Sequence, residues 1–121
     1  MSWTYHQKTG SIVPPNGKNP IGEGYSGTGI GRNNPALEWM PDVGPIPAGL
    51  WHIGPMNSDH PHLGPDVMAL TPIGHDAHLR TDFFIHGNNP TNDASHGCII
   101  QAHGVRMMIN SNTDKQLLVV A

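Results

Sequence analysis

The chain has 121 residues, enough for one domain with a modest core. Apolar residues make up 36% and charged residues 12%, with 15 glycines and 12 prolines, a composition that resists long helices and favours short strands joined by turns. A net charge of −3 without any run of Lys or Arg argues against nucleic-acid binding, and no apolar run is long enough to insert in a membrane.

Met1 to His6 lack a basic region followed by an apolar one, so no Sec-type signal is expected and synthesis in the bacterial cytoplasm is. Trp3 to Gln7 alternate aromatic and polar residues, as a half-buried strand does. Lys8-Thr9-Gly10 is a turn, and Ser11-Ile12-Val13 returns as a partner strand. Gly22 to Gly29 match a G-x-G-x-x-G spacing. A phosphate loop needs a strand before it and a helix after it, and here Pro/Asn/Gly-rich segments stand on both sides. The stretch therefore reads as a glycine-rich loop that packs closely or lines a cleft. Pro35 to Met40 suit one helical turn with proline first. Leu50 to Gly54, Val67 to Thr71, Phe83 to His86 and Gln116 to Val120 read as strands, and Gln101 to Ile109 as a short helix through Ala102, Val105, Met108 and Ile109. The expected fold is a mainly β, compact single domain over residues 1–121, a sandwich or barrel with long loops and one or two short helices.

The chemistry concentrates between Phe83 and Ile100. This stretch holds the only cysteine, Cys98, which excludes an internal disulfide, and two histidines, His86 and His96, upstream of it. A cysteine nucleophile acts as its thiolate, favoured by a histidine partner or a helix N-terminus. Both aids are expected here, with Cys98 placed just before the short helix. Gly97 permits a sharp turn, and its amide with those of the helix N-terminus is the expected oxyanion site. Gly87 allows a main-chain carbonyl to approach and orient His86.

Ser95-His96-Gly97-Cys98-Ile99-Ile100 with the upstream His86-Gly87 resembles the active-site signature of YkuD-like L,D-transpeptidases. Gly24-Tyr25-Ser26-Gly27, Asn33-Asn34-Pro35, Gly44 to Gly49, Gly64-Pro65 and Leu70-Thr71-Pro72 extend the resemblance to type VI secretion L,D-transpeptidase effectors. The resemblance implies a compact L,D-transpeptidase-like β-sandwich or barrel. It implies attack by Cys98 on a peptidoglycan tetrapeptide stem, release of D-Ala and an acyl-thioester, resolved by water (L,D-carboxypeptidase) or an amine (L,D-transpeptidase). By position His86 is the general base, Gly87 its orienting carbonyl, His96 a supporting histidine and Gly97 part of the nucleophile turn. Arg80, Ser95 and Tyr25 are the candidate substrate-binding residues. No cofactor and no metal are implied. Action as an antibacterial toxin in a target cell's periplasm, with a cognate immunity protein as partner, completes the expectation.

Two other readings stand beside it. His60-Pro61-His62 with His52 and Asp59 suggests a zinc-dependent cell-wall peptidase. A non-catalytic peptidoglycan-binding module would have no use for a Cys–His pair.

Overall fold

A computed structural model of the chain describes residues 2–121. Its strands are β1 (Trp3–His6), β2 (Ser11–Val13), β3 (Gly22–Glu23), β4 (Tyr25–Ser26), β5 (Gly49–Asn57), β6 (Val67–Ile73), β7 (Phe83–His86), β8 (Ile99–Ile100) and β9 (Gln116–Val120), with helix α1 (His103–Ser111) before the last. They form one nine-stranded sheet in the order β3-β2-β1-β9-β5-β6-β7-β8-β4. Its two outermost strands, β3 and β4, are separated in sequence by Gly24 alone, so the sheet must curl until its edges meet. The fold is mainly β and nearly closed, as its composition suggests.

Gly24 is the closing point. Its amide donates to the Gly10 carbonyl at 2.8 Å, and a Cβ there would fall 1.5 Å from the Ile100 carbonyl oxygen. Only glycine lets the backbone pass so close. The glycine-rich stretch is therefore a barrel seam rather than a phosphate cradle.

The core forms because inward positions alternate along the strands. Trp3 and Tyr5 of β1, Trp51 and Ile53 of β5, Met68 and Leu70 of β6, Ile85 of β7, Ile99 of β8, and Leu117 and Val119 of β9 join one buried cluster. Burying each large side chain contributes roughly 1.5–3 kcal/mol. Helix α1 covers one end through Val105 and Ile109. The expected apolar position Met108 is 51% exposed instead, and Arg106 is buried. Arg106 is held by main-chain carbonyls of Gln101, Pro65 and Asp66.

Proline does not end the strands where the sequence suggests. β5 continues through Gly54-Pro55 to Asn57 because its register with β6 shifts between Ile53 and Met56, a bulge that accommodates the missing donor. Pro72 lies within β6, paired with Trp51.

Candidate active site

β7 and β8 run parallel, with Ile85 opposite Ile99 and His86 opposite Ile100. Ile85 and Ile99 point into the core. By strand alternation Phe84, His86 and Cys98 take the other face. All three line one cavity of about 570 Å³, closed around by Asp42, His60, Leu79, Arg80 and His96 among others. Parallel pairing thus brings to one cavity two residues separated by the loop 87–97.

His86 is 3% exposed, and its Nδ1 donates to the Gly87 carbonyl at 2.8 Å. A carbonyl only accepts, so Nδ1 carries the hydrogen and Nε2 keeps a lone pair. That Nε2 is buried and has no hydrogen-bond partner among the described residues. Burial holds the imidazole pKa below its ordinary value, and Arg106 and His60 push the same way against the Gly87 hydrogen bond. His86 is accordingly a neutral base with a free lone pair.

Cys98 is 9% exposed. Burial pushes its thiol pKa up to about 11, partly opposed by hydrogen bonding from the Phe84 backbone and reinforced by Asp82. At rest the thiol is protonated and contacts the Asp82 carbonyl at 3.5 Å. The expected helix N-terminus does not help it: Cys98 leads into β8, and α1 begins only at His103. Nor is the Gly97 amide a free oxyanion donor, because it donates to Ser95 Oγ at 3.1 Å.

Ser95 is fully buried, so the substrate-binding role expected of it gives way to a structural one. Its hydroxyl donates to the Cys98 carbonyl at 2.6 Å and accepts from the amides of Gly27 and Gly97. One donor and two acceptor sites are the full capacity of a hydroxyl. Gly97, at φ +130°, completes this turn, and its carbonyl accepts from Ser26 Oγ at 2.9 Å.

Arg80 lines the cavity but is committed elsewhere. Its Nη1 donates to the carbonyls of Glu38 and Pro45, and its Nη2 to those of Gly44 and His96. Both terminal nitrogens are saturated. Arg80 ties the 38–45 segment to the turn before Cys98 instead of offering a fork to a ligand carboxylate. Tyr25 likewise faces the loop: its hydroxyl donates to Asn88 Oδ1 and accepts from the Ala94 amide at 2.8 Å, while Arg32 stacks 3.7 Å above its ring. It fixes the connection between His86 and Cys98. His96 is exposed on the cavity rim, its Nδ1 on the Asp42 carbonyl at 3.2 Å.

His60 and His62 also line this cavity, brought there by the β5–β6 connection, while His52 sits exposed on β5, paired with Thr71 and Gln116. Among the described residues no three His, Cys, Asp or Glu side chains group to hold a metal ion. The cavity walls supplied by Asp82, Phe84 and Leu79 carry no signal in the sequence, since they arise from pairing between distant segments.

The chain is thus a small barrel-like β domain in which a buried cysteine and a buried histidine line one cavity. The chain belongs to the Tlde1 domain family, whose model matches residues 21–121, a family of type VI secretion effectors. No curated protein and no solved structure matches the chain.

Proposed function

We propose that the chain is a cysteine-dependent L,D-carboxypeptidase and L,D-transpeptidase acting on peptidoglycan tetrapeptide stems. The observation that supports it most is the shared face of β7 and β8, where a neutral His86 with a fixed tautomer and the Cys98 thiol line one cavity.

The chemistry follows from those protonation states. His86 Nε2 takes the thiol proton as Cys98 Sγ attacks the carbonyl before the terminal D-Ala, giving a tetrahedral oxyanion. The C–N bond then breaks, and His86 returns the proton to the leaving amine. D-Ala departs and a thioester to Cys98 remains. Water, deprotonated by His86, attacks the thioester, the C–S bond breaks, and the proton passes from His86 to the departing Cys98 sulfur as the tripeptide stem is released; an amine in place of water gives a cross-link or an exchanged residue. Because the thiolate forms only on demand, the barrier includes its generation.

Family membership supports delivery by a type VI secretion system; a peptidoglycan substrate then puts the site of action in the periplasm of a target cell, with an immunity protein as partner. Mass spectrometry of muropeptides tests the activity: wild type converts tetrapeptide to tripeptide stems, and Cys98→Ala does not. Retained conversion by Cys98→Ala would overturn the reading. Toxicity confined to a version exported to the periplasm tests the location, and equal toxicity from the cytoplasm would refute it.

A further inference from the structure

His60 belongs to neither the Cys98–His86 pair nor the loop that holds them, yet its ring lines the same cavity. The connection between β5 and β6 carries it there, pinned by a backbone bridge between His60 and Gly64. The ring sits edge-on to Phe84, with centroids 5.3 Å apart, and Phe84 shares its face of β7 with His86. The two histidines are close enough for His60 to act electrostatically on His86.

The ring's orientation is fixed from behind. Its Nδ1 accepts from the amides of both His62 and Leu63, each at 3.1 Å. A nitrogen accepting two N–H groups carries no hydrogen, so in the neutral ring the hydrogen is on Nε2. No acceptor meets that Nε2 among the described residues. A donor without a partner thus belongs to a ring that lines the cavity holding His86 and Cys98.

We infer that His60 is a substrate-binding residue whose Nε2–H holds an oxygen of the acyl-donor peptide, a carbonyl or the terminal carboxylate. The inference rests on the stem-peptide reading above. His60 and His86 carry opposite tautomers, so the cavity holds one ring donor for the peptide and one ring acceptor for the thiol proton. The H-x-H pattern that suggests zinc in the sequence is here a main-chain clamp on His60.

Steady-state kinetics on a tetrapeptide, with a free and with an amidated C-terminus, test this. His60→Phe keeps the ring against Phe84 and removes the donor. It raises KM about five- to tenfold, the worth of one hydrogen bond, with kcat nearly unchanged. His60→Gln restores an N–H and lies nearer wild type. A rise in KM confined to the free acid assigns the terminal carboxylate, and a rise for both peptides assigns a carbonyl. Wild-type KM in both variants, or loss of kcat alone, would overturn the inference.

A second measurement needs no His60 variant. In Cys98→Ala, the ¹⁵N resonance of His60 Nε2 is of the protonated type and shifts as tetrapeptide is added. Saturation with peptide and no shift would overturn the inference even if the His60 variants failed to fold. Absence of turnover by the wild type itself, by contrast, would count against the stem-peptide reading.

Discussion

A methyl group on Gly97 would lie 2.4 Å from Nη2 of Arg80. That nitrogen already holds the carbonyls of Gly44 and His96, at 3.0 and 3.2 Å. Gly97 also has φ +130°, which side chains rarely adopt. Gly97→Ala therefore combines backbone strain with displacement of a buried guanidinium, and costs about 2–4 kcal/mol. Chemical denaturation measures it; a loss below about 0.5 kcal/mol would show that the turn and Arg80 are not coupled.

Ser95→Ala is the subtler test of the same turn. It leaves the Gly27 and Gly97 amides and the Cys98 carbonyl without their side-chain partner. The expected cost is about 1–3 kcal/mol in stability. Because Ser95 is buried and positions Cys98 from behind, kcat falls while KM for the tetrapeptide stays within about twofold. A selective rise in KM would return Ser95 to the substrate side.

The protonation states predict how the thiol reacts. With its pKa raised to about 11, Cys98 is alkylated by iodoacetamide more slowly at neutral pH than a free cysteine, and the rate climbs until the pH approaches that value. The acid limb of kcat/KM reports His86, whose pKa burial lowers, and lies below its ordinary 6.5. An alkylation midpoint below pH 7 would instead indicate a standing thiolate–imidazolium pair.

Both groups also shape stability. The folded protein binds a proton at His86 less readily than the unfolded chain, so this contribution to stability falls as pH drops below 6.5. It holds the Cys98 proton more tightly, so that contribution falls as pH rises from 9.0 towards about 11. Melting temperatures of His86→Gln decline less on the acid side than those of the wild type, and those of Cys98→Ala less on the alkaline side. Parallel curves for wild type and variants would contradict the assigned environments.

Much of this fold is legible in the sequence where alternation is local. Trp3 to His6, Phe83 to His86 and Gln116 to Val120 alternate or carry dense apolar runs, and each is a strand. The seam strands β3 and β4 are not legible, because they exist only when the sheet curls and its edges meet at Gly24. A pairing of Cys98 with His86 is suggested by residue type, while their meeting at one cavity comes from parallel register that no local pattern encodes. The sequence misplaces the aids to Cys98: two residues of strand intervene before the next loop, so the helix N-terminus lies elsewhere. Arg80 and Ser95 suggest ligand binding through the resemblance to the effectors, Arg80 by its place just before the His86 strand and Ser95 by its place in the Cys98 motif. Their burial against main-chain groups shows that they build the turn.

The most direct test of the central claim is rapid-quench intact mass spectrometry of the wild type mixed with a tetrapeptide stem. The account predicts a transient mass increase equal to the tripeptide acyl group, mapped by peptide digestion to Cys98 and absent in Cys98→Ala. It also predicts that the adduct accumulates far more slowly in His86→Gln, by about 10²- to 10⁴-fold. Tetrapeptide turnover with no adduct on Cys98, undiminished in Cys98→Ala, would contradict it.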